Sequence, residues 1–292
     1  MEEGTMEEQG KRLGGPDDPR TIEELFRDAL VETDNDFSTD EDIAYTAISA
    51  LQFRGGHDIF EHACKLCASE NVHERRVGVD ILAQLGVKRW PEPYEYEFPD
   101  ETIALLLSML EQEQEPQVLH AIAVALGHRQ DPRAIAPLAR FKNHPHDFVR
   151  FGVVFGLMGN EDDLAVQTLI ELSTDIDADV RDWATFALGC QIETDTPAIR
   201  AALVARLTDE DDDASGEAMV GLARRHDSRV VEPLLTKLED GWFGSLLTEA
   251  AAEIGDPRLY PVLVQIREKW DGDEEDWRLQ ELDEAIEKCQ PS

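Results

Sequence analysis

The sequence predicts an all-α protein, a right-handed α-solenoid of about eight helix pairs, and two observations support this prediction. The segment Asp177–Gly189 places its apolar residues on one face of a helix, at i, i+3, i+4, i+7 and i+8: Val180, Trp183, Ala184, Ala187 and Leu188. Related segments that end in glycine recur on both sides of it, namely Val72–Gly86, Glu115–Gly127, Asp147–Gly159 and Leu246–Gly255. Their spacing of about thirty residues is typical of helical repeat arrays.

Hydrophobic periodicity divides the chain into first and second helices joined by short connections. First helices are predicted at residues 21–31, 57–69, 100–113, 131–142, 162–173, 196–208, 228–239 and 257–269. Second helices are predicted at residues 41–53, 72–85, 116–126, 147–158, 178–189, 212–224, 244–254 and 274–288. Together these elements predict that residues 21–292 form a single solenoid.

Two segments depart from the helical pattern. Residues 1–20 are polar, acidic and without periodicity, which predicts a disordered N-terminal tail. Residues 88–100 contain three prolines and four aromatic residues, which interrupt the helices. This insertion is either a packed loop or an additional contact surface beside a groove.

Several first helices open with the same capping device. An aspartate stands at the N-cap in Asp131-Pro132-Arg133, Asp256-Pro257-Arg258 and Asp227-Ser228-Arg229, and in the first two a proline takes the first helical position. A second proline follows in each first helix of this type: Pro137, Pro233 and Pro261. Because an interior proline removes a backbone hydrogen bond, we expect bent first helices packed against straighter second helices.

Charge is the strongest signal in the composition. The 292 residues include 63 acidic and 27 basic residues, for a formal net charge of −36. Such a surface repels nucleic-acid backbones and anionic membranes, so neither is expected as a partner. Two interpretations remain: a solvated acidic surface, or complementarity to a basic protein. The acidic N-terminus and the lack of a long apolar run lead us to expect a cytoplasmic protein.

No pattern of catalytic or metal-binding residues is recognisable. The sequence contains no glycine-rich phosphate loop, no G-x-S-x-G and no H-E-x-x-H motif, so we expect neither catalytic residues nor a cofactor. Cys64 and Cys67 are spaced like a metal-binding pair but have no second pair, and we interpret them as small buried side chains. We therefore expect a protein that is not an enzyme and holds no metal.

Arg150 and Arg181 occupy equivalent positions, each after a valine in a second helix. They could form a row of arginines that faces a ligand. The interpretation that we favour is a structural ladder between neighbouring repeats, with Asp147, Asp177 or Asp179 as the acceptors. Trp183 has the spacing of a core residue first and of a contact residue second.

These features resemble a known class of proteins. The kinked first helices resemble those of HEAT repeats, from about residue 40 onward. Four stretches resemble, in the same order, the YibA-type bacterial HEAT proteins: Ala50–Phe60, Asp179–Gly189, Gly221–Leu234 and Glu249–Leu263. Some proteins of this type are encoded beside Rhs polymorphic-toxin genes, so the resemblance implies an immunity protein that neutralises a toxin domain.

The leading hypothesis is therefore a monomeric, non-enzymatic solenoid whose second helices grip a basic protein, with immunity as its most specific form. A general adaptor or assembly scaffold is the alternative, and a HEAT-like lyase ranks below both. The phase of the second helices predicts the partner-binding side chains. They are Arg76, Asp80, Gln84, His120, Arg150, Asp182, Thr185, Glu217, Glu249 and Glu253.

Overall fold

The computed structural model describes residues 13–33, 46–87, 95–241, 244–270 and 276–291. The chain divides into two compact units, unit 1 (Met1–Leu138) and unit 2 (Ala139–Ser292). All elements within the described ranges are helical. The all-α prediction is therefore confirmed for these ranges, while the prediction of one continuous array over 21–292 stays a prediction.

Sixteen α-helices alternate as first and second helices within the described residues. Unit 1 contains α1 (Ile22–Glu32), α2 (Thr46–Arg54), α3 (His57–Cys67), α4 (Val72–Ala83), α5 (Pro99–Gln112) and α6 (Pro116–Arg129). The short helix α7 (Ile135–Ala139) includes the boundary between the units. Unit 2 contains α8 (Asp147–Leu157), α9 (Asp163–Leu172), α10 (Ala178–Phe186), α11 (Pro197–Arg206), α12 (Asp212–Arg224), α13 (Val231–Glu239), α14 (Ser245–Ile254), α15 (Tyr260–Glu268) and α16 (Trp277–Lys288).

The second helices of each unit pack against one another. In unit 1, α4 packs against both α2 and α6, and in unit 2 the helices α8, α10, α12, α14 and α16 pack one after another. Each second helix also packs against a first helix, as α12 does against α11. Burial follows from this double contact: in α12 the run from Ala214 to Ala223 is buried except for Glu217.

Residues 13–20 correct part of the predicted disordered tail, whereas residues 1–12 lie outside the described residues. The buried carboxylate of Asp18 accepts hydrogen bonds from the backbone N–H of Gly14 and from the backbone and guanidinium of Arg20. Arg20 also donates to Asp28 and to Thr46, at the start of α2. A charge-assisted network therefore orders this segment although its composition is polar.

The second prolines do not bend helices in the predicted way. Two first helices begin with a 3-10 turn, Pro132–Ala134 and Ser228–Val230, and become α-helical only afterwards. Pro137 and Pro233 therefore lie in the first α-helical turn, where a backbone N–H has no intrahelical acceptor. Pro261 likewise follows the first residue of α15. Pro137 and Pro233 thus mark the passage from a 3-10 turn to an α-helix.

Gly189 was predicted to end its helix and instead permits a close helix crossing. It lies in a π-helical turn, Ala187–Gln191, that continues α10. A Cβ atom on Gly221 of α12 would lie 2.6 Å from the Cα of Gly189, closer than such atoms can approach. Only a pair without side chains allows α10 and α12 to meet at this point.

Arg75, Arg150 and Arg181 each stand fourth in a second helix and form the same clamp. Each guanidinium donates two hydrogen bonds to a carboxylate of the following helix pair: Glu113, Asp175 and Asp209, respectively. Its remaining terminal nitrogen, Nη1, donates to carbonyls of the turn before its own helix, for example His144 for Arg150.

The structural interpretation of the arginine ladder is therefore correct, but the predicted acceptors are wrong. Asp177 caps α10 by accepting from the N–H of Val180. The acceptors lie one repeat further on, where the same carboxylates also bind backbone N–H groups: Asp175 accepts from Asp177, and Asp209 accepts from Asp211. Each of these carboxylates thus fixes its own turn and, through the arginine that binds it, joins two repeats.

We predict that replacing Arg150→Leu lowers the free energy of unfolding by about 3–5 kcal/mol at neutral pH, because it leaves Asp175 charged and largely buried. The two side chains of this pair are only 10% and 9% exposed. Urea denaturation followed by circular dichroism measures the change. Arg258→Leu is the matched control: this arginine is 52% exposed in a similar bidentate pair, so its loss should cost about 1 kcal/mol or less.

The difference in stability between the wild-type chain and Arg150→Leu should depend on pH. Burial alone would raise the pKa of Asp175, but the hydrogen bonds from Arg150 hold this pKa below its usual value. A carboxylate with a lowered pKa stabilises the fold above its unfolded-state pKa, and this contribution is lost as the pH falls through the folded-state pKa. The difference between the wild-type chain and Arg150→Leu should therefore shrink below about pH 4. A difference that is the same at pH 3 and pH 7 would contradict the clamp.

Candidate functional site

The fifth and ninth residues of a second helix share one face, because they are separated by one helical turn. This face, called the second-helix face below, carries most of the predicted binding residues. In unit 1 these positions hold Arg76 and Asp80 of α4, and His120 begins the same pattern in α6. In unit 2 they hold Glu249 and Glu253 of α14.

In unit 1 the second-helix face forms a cleft of about 530 Å³ between α2, α4 and α6. Four predicted residues line it together: Arg76, Asp80, Gln84 and His120. The remaining lining is mixed, with the polar side chains of Gln52, Gln117 and His128 beside small apolar ones, including Ala121 and Val124. The structure thus brings these four predicted residues into one site.

Arg76 and Asp80 form the charged floor of this cleft. Nη2 of the buried Arg76 donates to the carbonyl of Thr33 at 2.7 Å, and its Nε lies 3.8 Å from the carboxylate of Asp80. Burial raises the pKa of Asp80 to about 6, although the charge of Arg76 opposes this shift. Gln52 donates to the carbonyl of Asp80 and so ties α2 to α4. The cleft is therefore close to neutral and rich in hydrogen-bonding groups.

In unit 2 the second-helix face is acidic. Asp182 of α10, Glu217 of α12, and Glu249 and Glu253 of α14 were all predicted, and they follow one another across packed helices. Glu217 is the sixth rather than the fifth residue of its helix, and its charge acts on Asp182 while that of Glu249 acts on Glu217. Glu249 and Glu253 line a depression of about 200 Å³ together with Glu281 and Glu284 of α16. We call these six carboxylates the acidic row.

Burial and mutual repulsion raise the pKa values of two carboxyl groups in the acidic row. Burial, followed by the charges of Glu217 and nearby aspartates, raises the pKa of Asp182 to about 7. Burial also raises the pKa of Glu217, to which Glu249 contributes, while a hydrogen bond from the thiol of Cys190 at 3.2 Å opposes the rise. The repulsion of like charges is therefore built into this face.

Arg224 is the cation that the structure places within the acidic row, where it donates to Glu249 at 2.6 Å. Other arginines nearby in sequence are engaged elsewhere. Arg225 donates to five carbonyls around the end of the π-helical turn, including those of Leu188 and Gly189. Among the described residues, these six carboxylates outnumber Arg224, so the row carries a net negative charge.

Next to the acidic row lies a cluster of four aromatic rings, called the aromatic patch: Phe151 and Phe155 of α8, and Trp183 and Phe186 of α10. The ring centroids of Phe155 and Trp183 are 4.8 Å apart, and those of Phe151 and Phe155 are 5.1 Å apart. Phe186 packs edge-on against Trp183 at 5.7 Å. All four side chains are partly exposed, so they are not a closed core.

The structure corrects two of the predicted binding residues. Arg150 is buried, and its guanidinium is held by Asp175 and by the carbonyl of His144. Thr185 is fully buried, and its hydroxyl donates to the carbonyl of Arg181 one turn earlier. Both residues stand one position before the exposed face, so their side chains point between helices.

Sequence reasoning missed the aromatic patch because it searched this face for polar residues only. Phe151 and Phe155 occupy the fifth and ninth positions of α8, where α4 carries Arg76 and Asp80. Phe186 is the ninth residue of α10, one turn after Asp182. The same helical phase that selected Asp182 would have found these rings. Trp183 is partly exposed, so its ring is available for contact as well as for packing.

Two classes of site can be examined over the described residues. Within these ranges, no three histidine, cysteine or acidic side chains are arranged to hold a metal ion. No helix in the same ranges is long and apolar enough to cross a lipid bilayer.

Part of the chain matches a known protein family. Residues 103–189 match the family model described as HEAT repeats. The match covers α6–α10 together with most of α5, so it includes Asp182 and the aromatic patch.

The remaining similarity extends over most of the chain. The chain is 28% identical over 260 residues to the protein YibA of Escherichia coli strain K12, covering 86% of this chain and 87% of YibA. YibA of Escherichia coli O157:H7 matches equally well. The X-ray structure of Escherichia coli YibA superposes with a TM-score of 0.70 at 24% identity, over 93% of this chain and 96% of that one. The predicted resemblance and the α-solenoid fold are thus confirmed.

We predict that Asp182→Asn stabilises the protein at and above neutral pH. The folded-state pKa of about 7 exceeds the ordinary aspartate value, so ionisation of Asp182 destabilises the fold increasingly between about pH 4 and pH 7. Because the side chain is partly exposed, solvent screening limits the gain to about 1–2 kcal/mol. Urea denaturation at pH 4, 6 and 8 measures it.

Glu268→Gln is the matched control for this prediction, because it removes one carboxylate from an exposed position of the first helix α15. We expect its effect to stay within about 0.5 kcal/mol at every pH. If Asp182→Asn stabilised the protein equally at pH 4 and pH 8, the strain in the acidic row would not arise from ionisation of Asp182.

Proposed function

We propose that this protein is a non-enzymatic binding protein whose second-helix face in unit 2 engages a basic protein. The observation that supports this proposal most directly is the acidic row, in which burial and mutual repulsion raise the pKa values of Asp182 and Glu217. Such an arrangement costs stability, and proteins retain costly charge arrangements at functional sites. A cationic partner would relieve the repulsion.

The disposition of the basic residues supports the same proposal. Arg150 and Arg181 point away from the row into their clamps. The formal net charge of −36 would accelerate the encounter with a basic protein over long range. The aromatic patch beside the carboxylates adds apolar contact area of the kind that is enriched at protein interfaces.

The cysteines support a binding protein rather than a lyase. Burial, assisted by Glu217, raises the pKa of Cys190 to about 12, and burial raises that of Cys67 to about 12 and that of Cys289 to about 11. At neutral pH these thiols are protonated and are poor nucleophiles. All four cysteines are free, as is usual in a reducing compartment, which supports our proposal that the protein acts in the cytoplasm. We also propose that it acts as a monomer.

The most specific form of the proposal is an immunity protein that binds and neutralises a basic polymorphic-toxin domain. A positively charged toxin, such as one that must bind nucleic acid, would complement the acidic row. A general adaptor or assembly scaffold would use the same face. The identity of the captured partner decides between these two forms.

We predict that a face variant (Asp182→Asn, Glu217→Gln, Glu249→Gln and Glu253→Gln) loses the partner that the wild-type chain captures from a lysate of the source organism. A control variant removes the same charge from exposed positions on turns and first helices: Glu210→Gln, Glu239→Gln, Asp240→Asn and Glu268→Gln. A basic protein should bind the wild-type chain and the control at low salt and be released at high salt. Equal capture by the face variant would contradict the proposed site.

The immunity form has its own test. A toxin domain encoded beside the gene for this chain is co-expressed with the wild-type chain, the face variant or the control variant, and cell survival is counted. We expect the wild-type chain and the control to protect cells and the face variant to fail, because neutralisation requires the charge pairing. Survival that is equally low with all three would exclude immunity against that toxin and leave the scaffold form.

A further inference from the structure

We propose that the segment recognised by unit 2 is rich in arginine, with guanidinium groups stacked on the aromatic patch and paired with Asp182. This inference rests on the proposed function and adds the chemistry of the partner. It depends on three observations: the geometry of the patch, an unsatisfied oxygen on Asp182, and the engagement of the neighbouring arginines.

The aromatic patch offers ring faces and edges rather than a flat apolar wall. Phe155 and Trp183 meet at an interplanar angle of 35°, whereas Trp183 and Phe186 are nearly perpendicular at 79°. Tilted rings leave parts of their faces open between them, and the four side chains remain partly exposed. The negative face of an aromatic ring attracts a cation, and tryptophan attracts it most strongly.

Asp182 supplies the anionic half of the site. It directly precedes Trp183 and stands one turn before Phe186, so its carboxylate lies on the border between the rings and the acidic row. Its Oδ1 atom is buried and accepts no hydrogen bond from the described residues. The carboxylate as a whole is partly exposed, so a guanidinium that lies over the rings could donate to its accessible part and offset the cost of ionising it.

The arginines next to the patch in sequence cannot fill this position, since the clamps hold both of them. Arg150 precedes Phe151 and binds Asp175, while Arg181 precedes Asp182 and binds Asp209. Elsewhere an arginine of the chain itself lies over an aromatic ring. The guanidinium carbon of Arg129 is 4.5 Å from the ring centroid of Tyr96, and that of Arg278 is 5.6 Å from the ring centroid of Trp270. The patch presents the same chemistry to an outside arginine.

Arginine fits this site better than lysine. A planar guanidinium can stack on a ring and donate two hydrogen bonds to a carboxylate at the same time, whereas an ammonium group is a strongly hydrated point charge. Packed helices are separated by about 8–10 Å, and an extended chain advances about 3.3 Å per residue. A segment that crosses from α10 to α12 and α14 would therefore place one arginine on each helix if every third residue were arginine.

The test uses the full chain and two fluorescent twelve-residue peptides, (Arg-Ser-Ser)4 and (Lys-Ser-Ser)4, which carry equal charge. Fluorescence anisotropy at low salt gives the Kd of each. We expect the wild-type chain to bind the arginine peptide about five to ten times more tightly than the lysine peptide. Phe155→Leu and Trp183→Leu should reduce this ratio to about one or two, while weak salt-sensitive binding of both peptides persists.

Two further variants guard the interpretation. Phe155→Tyr keeps the ring and should keep the preference, and Tyr260→Leu removes a ring from the first helix α15 and should leave it unchanged. Circular dichroism confirms that each variant is folded. Equal affinity of the wild-type chain for both peptides would overturn the inference about arginine and leave the proposed function standing. Binding of neither peptide would contradict the proposed function and this inference together.

Discussion

The bidentate arginine clamp is the interaction on which the repeated geometry depends. A hydrophobic stripe alone would let two helix pairs slide or rotate against each other, because apolar contact has no direction. The guanidinium is planar and rigid, so two hydrogen bonds to one carboxylate fix both a distance and an angle. Arg75, Arg150 and Arg181 repeat this constraint at the same helical position. Each carboxylate also orders the turn before the next second helix, so local and long-range order arise together.

The sequence predicted the helices and their alternation well, because these properties depend on periodicity and on end signals that any single segment contains. The predicted second helix at 212–224 has the same bounds in the structure, and most others differ by a few residues. Partners further along the chain were harder to predict. The acceptors of Arg150 and Arg181 lie in the turn of the following pair, and no local pattern states which turn will face a given arginine.

In the candidate site, too, features that depend on local helical phase were predicted, whereas those that depend on tertiary contacts were not. Helical phase identified Arg76, Asp80, Gln84 and His120, which meet in one cleft, because residues one turn apart must share a face. Arg150 and Thr185 were assigned to the exposed face although each stands one position before it. Phe151 and Phe155 were overlooked because only polar residues were considered as binding residues. The role of Gly189 was also out of reach, since the close approach to Gly221 depends on how two distant helices cross. Burial of Asp18 likewise required tertiary contacts that composition does not reveal.

The raised pKa of Asp182 makes the charge of the acidic row depend on what occupies it. Near neutral pH this carboxyl group is only partly ionised, so the empty face carries less negative charge than its residues would suggest. A bound cation favours the ionised form and therefore expels the proton. Association is then coupled to proton release, and affinity increases with pH across the range in which Asp182 titrates. With a cationic partner, the face would therefore act as a proton-exchange site, because Asp182 would lose its proton and reach full charge as the cation binds.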